Sequence, residues 1–263
     1  MDFADMMALE EHGPDTYVGV GPRYVWGGLY GGQIVAQGLY AASATVDDAY
    51  RIHSLHAYFI RSGDAGEPIR FEVDRIRNGR SLTTRRVVAR QSVGAILNMA
   101  ASYQVDEAAP EVQTAQMPEV PGPDEVIPHN WSPVFERRML PNLDLPGRST
   151  GWLRMSEQMG ADPVLQACAL AFLSDDLPTE AVIAQHPERP DPGGNEYPFW
   201  SASLDHAVWF HRPFAADEWH LHDFTCHGLM SSRGLAVGEV FTQAGRHVAT
   251  VAQEVLLRLR REG

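Results

Sequence analysis

The chain contains two stretches in which polar and apolar residues alternate, and a segment of small and apolar residues precedes the first of them. This segment, residues 33–43, is long enough for a buried helix of about three turns. The alternation after it predicts four strands separated by short turns, at residues 53–61, 69–77, 82–91 and 95–104. One helix followed by an antiparallel meander indicates an α+β domain.

The second half of the chain repeats this order. Residues 163–174 are apolar nearly all round, which predicts another buried helix. Further strands are expected at residues 131–138, 151–155, 203–211, 220–226, 235–242 and 247–258. The spacing repeats as well, because Ser54 and Gln104 are 50 positions apart. Ser203 and Gln253 are also 50 positions apart. We therefore interpret the chain as two fused copies of one domain.

Residues 106–130 differ from both halves, since five prolines interrupt them and no periodicity is sustained. Such a composition is typical of a linker. The expected organisation is a first domain at residues 1–105, a linker at 106–130 and a second domain at 131–263. A stretch rich in proline and glycine, residues 187–199, predicts a loop within the second domain.

The composition narrows the class of protein. With 44% hydrophobic and 21% charged residues, the chain has ample material for a packed core. Its net charge of −13 argues against nucleic acid or an anionic membrane as the main partner. Two cysteines, Cys168 and Cys226, cannot form a disulfide framework or a four-thiolate metal site. The acidic start of the sequence and the lack of an apolar run of roughly 20 residues predict a cytoplasmic protein without a membrane span.

A series of short motifs runs in order from about residue 24 to residue 258. In the first half they are YGGQIVAQ at 30–37, HSLHAYF at 53–59, RSGD at 61–64, RNGRS at 77–81 and RRV at 85–87. In the second half they are LSD at 173–175, SLDHAVWFHRPF at 203–214, SRG at 232–234 and AQE at 252–254. Together they resemble the acyl-CoA thioesterase II (TesB-type) family. The resemblance implies a double hotdog, in which two fused domains each wrap a curved antiparallel sheet around one long helix.

The resemblance also implies a site. The catalytic acid is then Asp175, and Ser203 and Gln253 help it to position a hydrolytic water. The family hydrolyses fatty acyl-CoA thioesters without a metal, a cofactor or a covalent intermediate, and it commonly forms homo-oligomers, either dimers or tetramers. The sequence departs from the family pattern in its doubled acid, Asp175-Asp176, and in residues 187–199. These departures concern the preferred acyl chain length of the substrate more than the hydrolysis itself.

These residue types suit thioester hydrolysis. The thiol leaving group has a pKa of roughly 8.5, by analogy with cysteine, and departs as a thiolate without strong acid help. One carboxylate to accept a proton from water and two neutral groups to orient that water are therefore sufficient. Three residues at the predicted helix start are candidates for binding the oxyanion through their N–H groups: Gly31, Gly32 and Gln33. Arg85 and Arg233 are candidates for contacts with CoA phosphates, with ordinary ion pairs as the alternative.

Other motifs are interpreted without chemistry. Residues 147–151 fit the G-x-S-x-G pattern of serine hydrolases, but the expected strand and helix do not flank them, so they predict a loop. Asp205 and His206 are neighbours on a predicted strand and point to opposite faces, which argues against an acid–base pair. Four histidines are interpreted as packed or surface residues rather than metal ligands: His53, His56, His206 and His211.

Two alternative functions stay open at this point. An enoyl-CoA hydratase would need a paired Asp and His in one site, and no such pair has a convincing spacing. A non-catalytic acyl-CoA-binding protein would keep the fold without turnover. The presence of Asp175, Ser203 and Gln253 together argues against this second alternative, because a pure binding protein has no use for an oriented water.

Overall fold

The computed structural model describes residues 1–141, 147–189 and 198–260. Its first half contains two helices, α1 (Phe3–Met7) and α2 (Gly31–Ser43). The strands of this half are β1 (Glu10–Glu11), β2 (Thr16–Gly19), β3 (Tyr50–Phe59), β4 (Ile69–Asn78), β5 (Leu82–Gln91) and β6 (Gly94–Val105).

The described part of the second half also contains two helices, α3 (Pro163–Leu173) and α4 (Pro178–Gln185). Its strands are β7 (Phe135–Met139), β8 (Arg148–Met155), β9 (Phe199–Ser203), β10 (Asp205–Phe210), β11 (His220–Met230), β12 (Arg233–Thr242) and β13 (His247–Leu259). The predicted strands of both halves and the two long helices are therefore present, with ends that differ by a few residues.

All of these strands belong to one antiparallel sheet, in which β3 of the first half pairs with β10 of the second. Counted outward from this junction, the first half runs β3-β6-β5-β4-β2 and the second runs β10-β13-β12-β11-β8. The two halves thus have the same strand order on either side of the junction. This arrangement agrees with the duplication that the repeated spacing indicates.

The helices α2 and α3 contact each other, and most of their residues are buried. Asp162 caps the start of α3, where its carboxylate accepts a hydrogen bond from the Val164 N–H at 2.8 Å. The helix ends at Leu173, so Asp175 lies just beyond its last turn. On the sheet, α2 contacts β2 to β6, and α4 contacts β8 and β11 to β13.

The hydrophobic pattern does not predict the short elements near the start of the chain or α4. The helix α1 has only five residues, too few to show a helical period. Its three large apolar side chains, Phe3, Met6 and Met7, are nevertheless buried, and the Phe3 ring meets the Phe172 ring edge-on at a centroid distance of 5.6 Å. The core of the second half therefore extends to the beginning of the chain.

Two expectations about the second half are wrong in detail. The strand expected at 203–211 is divided, because β9 ends at Ser203 and β10 begins at Asp205. The loop expected at 147–151 is mostly strand, since β8 starts at Arg148 and pairs with β11. The Arg148–Asp223 ion pair, at 2.6 Å, joins these two strands. No nucleophile elbow is formed, because a strand and not a helix contains Ser149 and continues from it.

Residues 106–130 contain a 3₁₀ turn at Pro123–Glu125 and otherwise neither helix nor strand. The segment lies against the second half. The Trp152 indole donates to the Pro121 carbonyl at 2.9 Å, and Met117 packs against the hydrophobic cluster that contains Trp152. Most of the loop expected at 187–199 lies outside the described residues. Within the described ranges, no helix is long and apolar enough to cross a membrane.

Candidate active site

The start of α2 and the end of α3 meet, and Asp175 lies between them. Its Oδ2 accepts a hydrogen bond from the Gly32 backbone N–H at 2.8 Å, and its Oδ1 accepts one from Ser203 Oγ at 3.2 Å. The residue is buried, with 7% of its surface exposed. The N–H groups at a helix start favour a negative charge, so this position suits a carboxylate. The first half supplies the N–H and the second half supplies the acid.

Two glycines make this close approach possible. A Cβ on Gly31 would lie 2.7 Å from Asp175 Oδ2 and 2.9 Å from Phe59 Cζ. A Cβ on Gly32 would lie 2.4 Å from the Phe172 carbonyl oxygen, which belongs to the backbone and cannot yield easily. Glycine is therefore required at the start of α2 because the end of α3 packs directly against it.

Ser203 and Gln253 extend a chain of hydrogen bonds behind Asp175. The strand β9, which ends at Ser203, pairs with β13, which carries Gln253. The Gln253 amide donates from Nε2 to Ser203 Oγ at 2.8 Å. Its Oε1 lies 2.5 Å from Nδ1 of His206, and both of these side chains are fully buried. The fold thus brings the three predicted residues, Asp175, Ser203 and Gln253, into one connected group.

Burial raises the pKa of Asp175 from an ordinary value of 3.8 to about 7. Hydrogen bonds from Gly32, Gln253 and Ser203 act in the opposite direction, because they stabilise the charged form. The nearby acid Asp176 raises the pKa further. A carboxyl group that titrates near neutrality accepts a proton from water more readily than an ordinary aspartate does, and can still be ionised at the working pH.

The second acid of the pair, Asp176, faces a different set of partners. Its carboxylate accepts hydrogen bonds from the Trp131 indole at 2.6 Å and from the Arg137 guanidinium at 3.0 and 3.1 Å. Arg137 is buried and also contacts Glu180 at 2.5 Å. Burial raises the pKa of Asp176 to about 6, and Arg137 opposes that rise. The doubled acid therefore contains one hydrogen-bonded carboxylate near the helix start and one held in a buried ion pair.

The remaining candidates do not join this group through their side chains. The Gln33 side chain accepts from the Tyr24 hydroxyl at 2.9 Å and donates to Gln37 at 3.2 Å. Arg85 is buried at the opposite end of α2, where its guanidinium donates to the side chain and the carbonyl of Thr45. Arg233 forms an ion pair with Glu254 at 2.9 Å. Arg85 could bind an anionic group only by giving up these contacts, whereas Arg233 is partly exposed and uses only its Nε for Glu254.

Several residues of the site environment have no signal in the sequence pattern. Trp131 and Arg137 come from segments far from Asp176 along the chain, and only the need to pair a buried acid points to them. Phe59, at the end of β3, lies beside Gly31 and is only half-buried. The described residues contain no group of three or more His, Cys, Asp or Glu side chains that could hold a metal ion.

Comparison with known proteins follows the same division into halves. A family model described as the acyl-CoA thioesterase N-terminal domain matches residues 22–104. A second model, described as the acyl-CoA thioesterase C-terminal domain, matches residues 107–257 and by itself covers more than half of the chain. The chain belongs to the acyl-CoA thioesterase II family. Its members include thioester hydrolases from bacteria and animals, as the individual relatives show.

Acyl-CoA thioesterase 2 of Haemophilus influenzae is 33% identical over an alignment of 256 positions, gaps included, that covers 88% of this chain and 87% of that protein. Acyl-coenzyme A thioesterase 8 of Mus musculus is 30% identical over an alignment of 291 positions, gaps included, that covers 97% of this chain and 88% of that protein. The crystal structure of acyl-CoA thioesterase II TesB2 from Mycobacterium marinum is 36% identical, with a TM-score of 0.87 and coverage of 100% and 99%.

The fold expectation is confirmed by the structural neighbours. A protein with a hot dog fold from Alicyclobacillus acidocaldarius, 21% identical, covers 98% of each chain with a TM-score of 0.81. At that identity the likeness concerns the fold alone. The α+β double hotdog predicted from the sequence is therefore the fold of this family member, with the two central helices α2 and α3 and one continuous sheet.

Proposed function

We propose that this protein hydrolyses acyl-CoA thioesters to a free acid and CoA, with Asp175 as the general base for a water molecule that Ser203 and Gln253 orient. The observation that carries the proposal is the buried Asp175 carboxylate, bound at 2.8 Å by an N–H of the other half and at 3.2 Å by Ser203. Burial of a carboxylate is energetically unfavourable and raises its pKa, and such perturbed carboxylates are typical of groups that act as catalytic bases.

The reaction needs one proton transfer before the carbon–sulfur bond breaks. Asp175 removes a proton from water as the water oxygen bonds to the thioester carbonyl carbon. The carbonyl π electrons move to oxygen and give a tetrahedral oxyanion. When the oxyanion collapses, the C–S bond breaks and its electron pair leaves with the CoA sulfur. The proton held on Asp175 then passes to the thiolate or to solvent, and the ionised base is restored.

The oxyanion needs donors other than the Gly32 N–H, because that group already binds Asp175. The backbone N–H groups of Gly31 and Gln33 lie in the same first turn of α2, where N–H groups have no partner within the helix. Among the described residues, neither of these two N–H groups has another hydrogen-bond acceptor. They are the donors we propose for the oxyanion, in keeping with the favourable field of a helix start.

Free-thiol release from a series of CoA esters, from acetyl to palmitoyl, tests this function. We expect release that peaks at some chain length and falls by about 10²- to 10⁴-fold in Asp175→Asn, which cannot accept a proton. Asp205→Asn is the matched control, because the Asp205 carboxylate accepts from the Glu254 backbone at 2.7 Å and lies outside the hydrogen-bond chain. We expect this control to retain wild-type activity.

Two results would contradict the proposal in different ways. Binding of acyl-CoA by calorimetry without thiol release from any ester would indicate a non-catalytic binding protein. Full activity of Asp175→Asn would keep the thioesterase activity but exclude Asp175 as its base. Equal losses in the Asp175 and Asp205 variants would show that a change of charge in this region, and not loss of the base, explains the effect.

A further inference from the structure

His206 lies behind the three proposed site residues and closes their chain of hydrogen bonds. It belongs to β10, is fully buried, and contacts Gln253 Oε1 through Nδ1 at 2.5 Å. Its other nitrogen, Nε2, lies 2.9 Å from Ser174 Oγ. Ser174 is the residue between the end of α3 and Asp175. The imidazole therefore connects the strand residue Gln253 with the turn that carries the proposed base.

Burial fixes the charge of this ring. It lowers the pKa of His206 from 6.5 to about 4, so the imidazole is neutral near pH 7. A neutral imidazole has one N–H and one nitrogen lone pair. Because the neighbouring Gln253 atom is an amide oxygen, which only accepts, Nδ1 must carry the hydrogen. Nε2 is then the acceptor. The Ser174 hydroxyl has one hydrogen and two acceptors in reach, His206 Nε2 at 2.9 Å and the Ala171 carbonyl at 3.1 Å, and with this tautomer the hydrogen goes to Nε2.

We infer that His206 is a positioning residue, whose Nδ1–H holds the Gln253 amide with its NH₂ group toward Ser203. With Gln253 in this orientation, its Nε2 donates to Ser203 Oγ and leaves the serine hydrogen for Asp175 Oδ1. All donors in the chain then point toward the carboxylate. The inference rests on the proposed function, and it assigns to His206 a role that works through Gln253 and not through the substrate.

Rotation of the amide by half a turn shows what this contact prevents. The Gln253 oxygen would then face Ser203, and the serine hydrogen would go to that oxygen in place of Asp175. Asp175 would lose the stabilisation that the Ser203 hydroxyl and the Gln253 NH₂ group give to its ionised form, and its pKa would rise. The other ionisable groups that face Asp175 are Asp176, which pairs with Arg137, and the buried Tyr24 and Tyr30. The rotation changes none of them.

Two substitutions of similar size separate positioning from packing. In His206→Asn the side-chain NH₂ stands near the place of Nδ1, so the donor to Gln253 is kept. In His206→Gln the amide reaches the place of Nε2, so the contact with Ser174 is kept and the donor to Gln253 is lost. We expect kcat of the Gln variant to fall about 10- to 100-fold, as when a group that orients a site residue is removed. The Asn variant should retain most of the wild-type kcat.

The pH profile and KM complete the test. We expect the acid limb of kcat to move to higher pH in His206→Gln and to stay in place in His206→Asn, while KM for acyl-CoA changes little in both. A role in packing alone would lower the melting temperature without moving the acid limb. Equal kcat values and equal acid limbs in the two variants would overturn the inference.

A spectroscopic measurement tests the ring without using activity. In protein labelled with ¹⁵N-histidine, long-range ¹H–¹⁵N correlation should show His206 neutral with its hydrogen on Nδ1, and its signal is identified by its absence in His206→Asn. A hydrogen on Nε2 would contradict the inference even if the enzyme is active. Lack of activity in the wild type would contradict the proposed function, while the tautomer would still report on the hydrogen-bond chain.

Discussion

Gly31→Ala is expected to separate activity from stability. The added Cβ would lie 2.7 Å from Asp175 Oδ2, about 0.7 Å short of an ordinary contact of 3.4 Å, and 2.9 Å from Phe59 Cζ. Both of these atoms are ends of side chains and can yield, so the fold should persist. The carboxylate has to leave its position against the Gly32 N–H. Misplacement of a reacting group by about 1 Å can lower the rate about 10²-fold, and we expect a loss of that order in kcat/KM.

Gly38→Ala in the same helix is the matched control. Its Cβ would lie 3.2 Å from Met99 Cε, the far end of a flexible side chain, and no site residue is near it. Alanine is favoured over glycine inside a helix by about 1 kcal/mol, so this variant should be as stable as the wild type or more stable. Thiol release and urea unfolding measure the two properties. Wild-type activity in Gly31→Ala, or equal loss of activity in both variants, would refute this reasoning.

Three further predictions concern the buried polar groups. Ser203→Ala removes a hydrogen bond that lowers the pKa of Asp175, so the acid limb of its pH–rate profile should lie at higher pH than that of the wild type. Arg137→Met leaves the buried Asp176 without its cation and should lower the free energy of unfolding by about 3–5 kcal/mol in urea titrations. His222 is fully buried, and burial lowers its pKa to about 3, so unfolding takes up a proton below pH 6.5 and stability falls with acid. Between pH 7 and pH 5 the free energy of unfolding should therefore fall by about 2 kcal/mol less in His222→Leu than in the wild type. An equal fall in the two proteins would contradict this.

The secondary-structure elements and their duplication could be predicted well from the sequence because their signals are local and repeated, whereas the double hotdog arrangement was implied by the family resemblance. Polar–apolar alternation marks the strands, and the apolar segments at α2 and α3 mark the helices that the sheet must cover. The elements that escaped prediction are short or depend on tertiary packing. The helix α4 has eight residues, and only three of them are buried, so its sequence is too short and too polar to show a helical hydrophobic period.

The site was predictable only in part. The motifs point to Asp175, Ser203 and Gln253, but their hydrogen bonds follow from the break between β9 and β10 and from the meeting of two helix ends. Arg85 shows the limit: an arginine that could bind a phosphate is instead satisfied by Thr45 inside the fold. His206 is the opposite case: it contacts the site residue Gln253, but spacing alone gives no reason to distinguish it from a packed histidine. The expected homo-oligomer and the cytoplasmic location stay predictions.

The acid limb of kcat/KM for thioester hydrolysis tests the central proposal most directly. If Asp175 must be ionised to accept a proton from water, the rate falls as the pH drops below its pKa of about 7, and at pH 6 it should be about tenfold below the plateau. The small residual rate of Asp175→Asn should show no such limb. A wild-type rate that is constant from pH 8 to pH 5, or a limb near pH 7 that persists in Asp175→Asn, would contradict the assignment of Asp175 as the base.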